Sequence, residues 1–402
     1  MSKKAKAGAS AAPVSSSAPS PLFKKELGLE TFIFPLFFFG IFVLFAWKMG
    51  LSNALGTMLK TAEDLLKDTV LQLTAICVIM GAISGLLSEF GFVSLLNRLL
   101  QPLMKPIFGM PGASSLGVVT TFLSDNPAIL SLAEDQNFRR YFKKYQFPAL
   151  TNLGTAFGMG LIVCTAMYSS STAAVPLGSA VLVGLLGAVV GSIVSTRLML
   201  VFTKKRFGTE APMETSGSVS EIPKNMRQVR EGNLGNRIMG AILDGGHNGV
   251  KMGVSIIPGV LVICTLVMML TMKMPEGGYT GGAYEGIALL PWLAGKIDFI
   301  LKPLFGFTSP EAIGVPVTAL GAAGAAIGLV PDLLKNGLVG PNDIAVFTAM
   351  CMCWSGYLST HTSMMDSLNC KELIGKAILS HTIGGLCAGI AAHWIFVLIS
   401  LL

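Results

Sequence analysis

KPIFGMPGASSLGVVTTFLSDNPAILSL, residues 105–132, decides how the rest of the chain is read. It is apolar enough to enter a membrane, yet Gly109, Pro111 and Gly112, and then Ser124-Asp125-Asn126-Pro127, interrupt what would otherwise be a spanning helix. At about 1.5 Å per residue, the run from Gly112 to Leu123 reaches roughly 18 Å, short of the roughly 30 Å hydrocarbon core. The segment is therefore expected to go half way in and turn back. At that depth Pro127 removes a backbone donor while Asp125 and Asn126 present oxygens that lipid cannot satisfy. Broken backbone and a carboxylate belong there only inside protein or beside a wet cavity, as in the ion and substrate sites of transporters.

Working outward, 52% of the 402 residues are hydrophobic and 13% are charged. Soluble domains carry about a quarter charged residues, so the composition is that of a polytopic membrane protein. The net charge of +7 does not indicate nucleic acid, because the basic residues sit in short clusters beside apolar runs with no basic face interleaved with aromatics. Seven cysteines, mostly within apolar segments, read as small hydrophobes rather than a disulfide framework.

Residues 1–30 are rich in Ser, Ala, Pro and Lys and are expected to be a disordered cytoplasmic tail. Residues 31–47 form an uncleaved transmembrane anchor, with Lys24 and Lys25 holding the N-terminus inside. Ser52 to Asp68 has the period of an interfacial amphipathic helix, Thr69 to Phe92 spans, and Val93 to Met104 is amphipathic again. After the hairpin, two further spans run from Phe147 to Tyr168 and from Ala173 to Phe202, closing a unit at 52–202. Residues 203–237 form a basic cytoplasmic linker, and 238–402 a second unit.

The second unit repeats the first. KPLFGFTSPEAIGVP, residues 302–316, aligns without gaps on residues 105–119, and at the same offset Thr318 matches Thr121 and Leu320 matches Leu123. With three crossings per unit, the second must start from the opposite side, in agreement with the positions of the basic clusters. The expected fold is an all-α polytopic membrane protein. An N-terminal anchor helix is followed by two inverted repeats, each with an amphipathic helix, three spanning helices and a half-depth re-entrant hairpin.

The paired Lys-Pro-x-Phe-Gly turns at Lys105–Gly109 and Lys302–Gly306, each leading into a Gly-Val-rich half helix, resemble the nucleoside-recognition or Gate domain family. That family includes spore maturation proteins A and B and the sporulation membrane protein linked to dipicolinate passage. More distantly it includes the concentrative nucleoside transporters and the membrane part of ferrous iron transport protein B. The resemblance covers roughly residues 50–400 and implies a transporter-like core with crossed hairpins in a bacterial cytoplasmic (inner) membrane. No P-loop is present, so the iron-transport mechanism does not carry over.

Two constellations are candidate substrate sites. The first is the hairpin tip, Ser124, Asp125 and Asn126, with Thr121 adding a hydroxyl; its counterpart in the second unit is Gly321, Ala322, Ala323 and Gly324. One tip offers oxygens and charge, the other close backbone approach and half-helix amide dipoles. The second constellation is Ser355 to Asp366, with a broken helix expected around Ser359 to Ser363, where Ser355, Ser359, Thr360, His361, Thr362 and Ser363 replace the apolar residues a lipid-facing helix should have. His361 suits a proton-linked or substrate-binding group as well as a packed one. In the first unit the equivalent helix is expected to break at Gly158 to Gly160.

Cys351 and Cys353 lie two apart, hence on different helix faces, and are not expected to share a metal. No catalytic motif is visible, and an enzyme is not expected. The expected function is passage of a small polar or anionic solute, nucleoside-like or dipicolinate-like, by alternating access between the repeats. No cofactor is expected, and whether Na+ or H+ couples transport is left open. A non-transporting membrane scaffold of the same fold, or a metal-ion permease, are the alternatives. The expected partners are the lipid bilayer and a small-molecule solute, not nucleic acid, and a homo-oligomer or membrane partner subunit is left open.

Overall fold

The computed structural model describes residues 26–134, 136–172, 175–213, 229–368 and 370–401. Most of the expected tail, and linker residues 214–228, lie outside the described residues. The described chain is helical throughout its long elements. It runs α1 (Leu29–Met49), α2 (Leu51–Glu89), α3 (Phe92–Leu103), α4 (Ser114–Leu123), α5 (Pro127–Glu134), α6 (Gln146–Ser169) and α7 (Gly178–Phe207). It continues with α8 (Leu234–Thr271), α9 (Leu289–Lys296), α10 (Asp298–Phe305), α11 (Gly314–Gly321) and α12 (Ala323–Lys335). The last elements are α13 (Pro341–Cys353), α14 (Tyr357–Ser367) and α15 (Lys371–Ser400). Among the described residues, six helices, α1, α2, α6, α7, α8 and α15, are long and apolar enough to cross a membrane.

The amphipathic segment expected at Ser52–Asp68 and the amphipathic helix expected to open the second unit are not separate helices. Each runs straight into the span that follows, giving α2 39 residues and α8 38. No Gly or Pro separates the two parts of α2, so nothing stops the helix; it passes instead through a π-turn at Leu65–Val70. In α8, Pro258 has no amide to donate and the chain takes a π-turn at Gly259–Cys264. At about 1.5 Å per residue, each helix is close to 58 Å long, roughly twice the hydrocarbon thickness, so it must tilt or project.

These two long helices cross antiparallel through a seam of small residues. A Cβ on Gly81 would sit 2.3 Å from the Gly245 carbonyl oxygen, and one on Gly249 would sit 2.2 Å from that of Cys77. Backbones this close replace side-chain interdigitation with main-chain contact, the small-xxx-small packing of membrane helices. A second bundle forms from α7, α13 and α15, in which α7 runs antiparallel to α15, with Gly191 against Gly384 and Gly187 against Ala388.

The paired Lys-Pro-x-Phe-Gly turns end alike but have different supports, the first closing a π-turn (Met104–Phe108) and the second an α-helix (Asp298–Phe305). Gly109 (φ 72°) and Gly306 (φ 62°) both end a helical turn in the left-handed region. Arg197 Nε donates to the Ile107 carbonyl (2.9 Å) in the first turn. In the second, Asn342 Nδ2 donates to the carbonyls of Phe305 (2.9 Å) and Gly306 (2.8 Å), with His393 Nδ1 against its Oδ1. Both turns then feed a hairpin, α4–α5 and α11–α12, whose arms of 8 to 13 residues are too short to span.

Candidate functional site

The two hairpin tips meet at one cavity of about 400 Å³. Asp125 and Asn126 border it from the first tip and residues 321–325 from the second. Two broken helices complete it. α6 loses its regular turn at residues 156–159, where Met159 is left-handed (φ 53°), and α13 ends before α14 at Trp354 to Gly356, where Gly356 has φ 64°. Met159 borders the cavity from α6, Ser355, Gly356 and Thr360 from the α13–α14 break, and Ser255, Ile256 and Gly259 from α8.

Asn126 is the hub. Its backbone N donates to Asp125 Oδ1 (2.7 Å), and its Nδ2 donates to the same oxygen (3.0 Å) and to Ser355 Oγ (3.0 Å). Its side chain passes between the two helix breaks, since a Cβ on Gly158 would fall 2.4 Å from Asn126 Oδ1 and one on Gly356 2.5 Å from Asn126 Nδ2. Only glycine leaves that room, and at Gly356 the left-handed backbone asks for glycine as well. Asn126 Oδ1 itself is buried against Gly158 with no hydrogen-bond partner.

The second tip is built differently. A single extended residue, Ala322 (φ −160°, ψ 111°), separates α11 from α12. The Ala326 amide closes the first intrahelical bond to the Ala322 carbonyl (3.0 Å), so the amides of Ala323, Gly324 and Ala325 are first-turn groups with no intrahelical acceptor. They stand at the cavity wall with the positive end of the helix dipole behind them.

The structure brings together Asp125, Asn126, Thr360 and the whole second tip. Three expected site residues are elsewhere. Thr121 is fully buried and donates to the Gly117 carbonyl (2.7 Å), because a hydroxyl in an apolar helix finds its own backbone first. Ser124 Oγ donates to the Thr120 carbonyl (2.7 Å) and faces a neighbouring cavity instead. His361 is buried behind the wall: its Nδ1 donates to the Tyr357 carbonyl (2.6 Å), and its ring centroid is 4.5 Å from that of His381. The side chains of Ser359 and Ser363 lie outside those described.

The helix break is not at Ser359–Ser363, which is helical, but at Trp354–Gly356; Thr362 Oγ1 back-bonds to the Leu358 carbonyl (2.8 Å), so that hydroxyl is absorbed by the helix. Sequence reading missed the wall supplied by Ser255, Ile256 and Gly259. Pro258-Gly259 in the middle of an apolar run was the signal for it.

The chain is similar to known proteins in sequence over one stretch and in fold over most of its length. Residues 70–196 match the Gate family, described as nucleoside recognition. The Gate match takes in the first tip, α6 and most of α7, and stops before the second hairpin. No curated protein matches the chain. Among solved structures, the concentrative nucleoside transporter CNTnw in an inward-facing substrate-bound state is 13% identical with a TM-score of 0.50, over 90% of this chain and 83% of that one. A double mutant of CNTnw in an outward-facing state is 14% identical with a TM-score of 0.51, over 91% and 86%. The chain is thus similar in fold to a multi-pass membrane transporter along nearly its whole length, including the second half that the Gate match leaves out.

Proposed function

We propose that this protein carries a small polar or anionic solute, nucleoside-like or dipicolinate-like, across a bacterial cytoplasmic membrane, with its N-terminus inside. Alternating access comes from one inverted repeat rocking against the other around the shared cavity. The observation that carries this reading is the shared cavity of about 400 Å³, bordered by Asp125 and Asn126 from the first tip and by the first-turn residues Ala323, Gly324 and Ala325 from the second. A solute with both donors and acceptors satisfies both walls, and an anionic group suits the second tip. The Gate match over 70–196 and the likeness to CNTnw support the nucleoside-like class.

Uptake of radiolabelled uridine or dipicolinate into reconstituted vesicles tests it. Uptake that is present in the wild type and lost in Asp125→Ala and Asn126→Ala supports the reading, and imposed Na+ or H+ gradients identify the coupling ion. Full complementation in cells by both variants would refute it in favour of a scaffold.

A further inference from the structure

The break between α13 and α14 is held from two sides. On the cavity side, Ser355 Oγ accepts from Asn126 Nδ2 (3.0 Å). Behind it, α15 holds the two preceding residues. His381 Nε2 donates to the Cys353 carbonyl, and the Trp354 indole Nε1 donates to the His381 carbonyl (3.3 Å). The last carbonyls of a helix have no intrahelical donor, so a break buried among apolar residues needs partners of this kind from outside. Trp354 lies against α15 at a glycine, since a Cβ on Gly385 would fall 2.1 Å from the indole nitrogen.

The proton positions around His381 follow from its partners. A carbonyl only accepts, so the proton of the neutral imidazole is on Nε2 and Nδ1 is an acceptor. Ser195 Oγ, 2.9 Å from Nδ1, then donates to it and accepts in turn from Asn152 Nδ2 (3.0 Å). Asn152 Nδ2 also donates to the Ala377 carbonyl (2.9 Å), one turn before His381 on α15. Asn152, Ser195 and His381 are each 1% exposed or less. The chain of bonds starts on α6 just before its own break at 156–159, passes through α7 to α15, and ends on the backbone where α13 stops.

We infer that His381 is a positioning residue for the solute site. Through Nε2 it fixes the backbone at Cys353 and Trp354, and with it the place where Ser355 presents its hydroxyl to Asn126. His381 does not border the cavity and acts only through residues 353–355. The inference rests on the transport reading for what is bound, but not for the hold on the break.

His381→Leu and His381→Gln in the full chain separate positioning from packing, because glutamine restores an amide donor near the Nε2 position and leucine keeps only apolar bulk. Hydrogen exchange, followed by mass spectrometry of the protein in nanodiscs, reads the break directly. In His381→Leu, exchange should quicken about tenfold over residues 354–360 and stay at the parent rate in the α2–α8 seam, and in His381→Gln it should return to within about threefold of the parent. Uniform quickening, no change at 354–360, or no rescue by glutamine overturns the hold. In uridine or dipicolinate uptake, His381→Leu should raise KM about tenfold in the parent and by less than about twofold in Ser355→Ala, because both residues act along one path. Equal factors in the two backgrounds overturn the action through Ser355. If His381→Leu does not fold, Ser195→Ala removes the hydroxyl that donates to Nδ1 and takes the same exchange measurement, with about threefold quickening expected at 354–360 and no change overturning the hold. A wild type that takes up neither solute refutes the transport reading instead, and the exchange rates still decide whether His381 holds the break.

Discussion

The two hairpin tips occupy equivalent places and share no chemistry. The first reaches the cavity with side chains: Asp125 and Asn126 are held by each other, by Ser355 and by the glycines of both helix breaks. The second reaches it with backbone: Ala322 is a one-residue hinge, and the residues on either side are too small to cover the amides behind them. Two tips at one cavity thus differ at four aligned residues, Ser124 to Pro127 against Gly321 to Gly324, and that difference makes one an acceptor and the other a donor surface. A symmetric pair of polar tips would place two carboxylates across one low-dielectric cavity and repel itself.

The sharpest way to break this comparison is to add one methyl group to each side. Gly356→Ala puts a Cβ 2.5 Å from Asn126 Nδ2 at a left-handed position. It should cost about 1–3 kcal/mol from overpacking and about 1 kcal/mol or more from backbone strain, read as a large drop in Tm in detergent. Gly321→Ala, whose nearest neighbour would be Ile263 Cδ1 at 3.3 Å, should leave Tm close to wild type. Equal drops would mean that the tips are equally packed.

Next in size, Asn126→Ala removes the hub and should lower uptake at least about tenfold, a loss of about 1.4 kcal/mol, while Ala322→Gly should stay within about twofold because the second tip acts through its backbone. Comparable losses in vesicle uptake would dissolve the distinction. Asp125→Asn keeps the acceptor for both Asn126 donors and removes the charge. If that carboxylate pairs with a coupling cation, the dependence of uptake on the cation gradient should flatten while binding of the uncharged uridine, measured by calorimetry, changes by only about twofold.

The smallest effect is a control far from both tips. Glu285, in the loop after α8, is buried, which alone would raise its pKa; the Thr280 hydroxyl and the amides of Gly282, Thr280 and Gly281 outweigh that and hold it below the usual carboxylate range. Its contribution to stability is therefore present at neutral pH and above the ordinary carboxylate pKa, and is lost as pH falls through the lowered one. Glu285→Gln should flatten the acid limb of a Tm-against-pH curve and leave uptake at neutral pH unchanged. A wild-type curve with no acid limb would remove the assignment.

Much of the site was legible because a membrane makes local errors visible. Asp125-Asn126-Pro127 within an apolar run, the gap-free match of 105–119 to 302–316, and the glycines at 158 and 160 each stand out against the pattern that lipid enforces along the chain. What could not be read was whether a hydroxyl is consumed by its own helix. Thr121, Ser124 and Thr362 look identical in sequence to Thr360 and Ser355, and only backbone position decides which of them back-bonds and which faces the cavity. Nor does the sequence say that an amphipathic segment and the span after it are one helix, as in α2, since periodicity is the same whether the helix lies flat or projects.

By itself, the sequence determined an all-helical membrane chain, two short hairpins and the unlike chemistry of their tips, because hydrophobic length and the cost of unpaired backbone in lipid act residue by residue. Only the tertiary structure decided that Asn126 sits between Gly158 and Gly356 and that α8 supplies a wall, because those contacts join residues up to 230 positions apart and depend on how closely glycine lets two backbones approach.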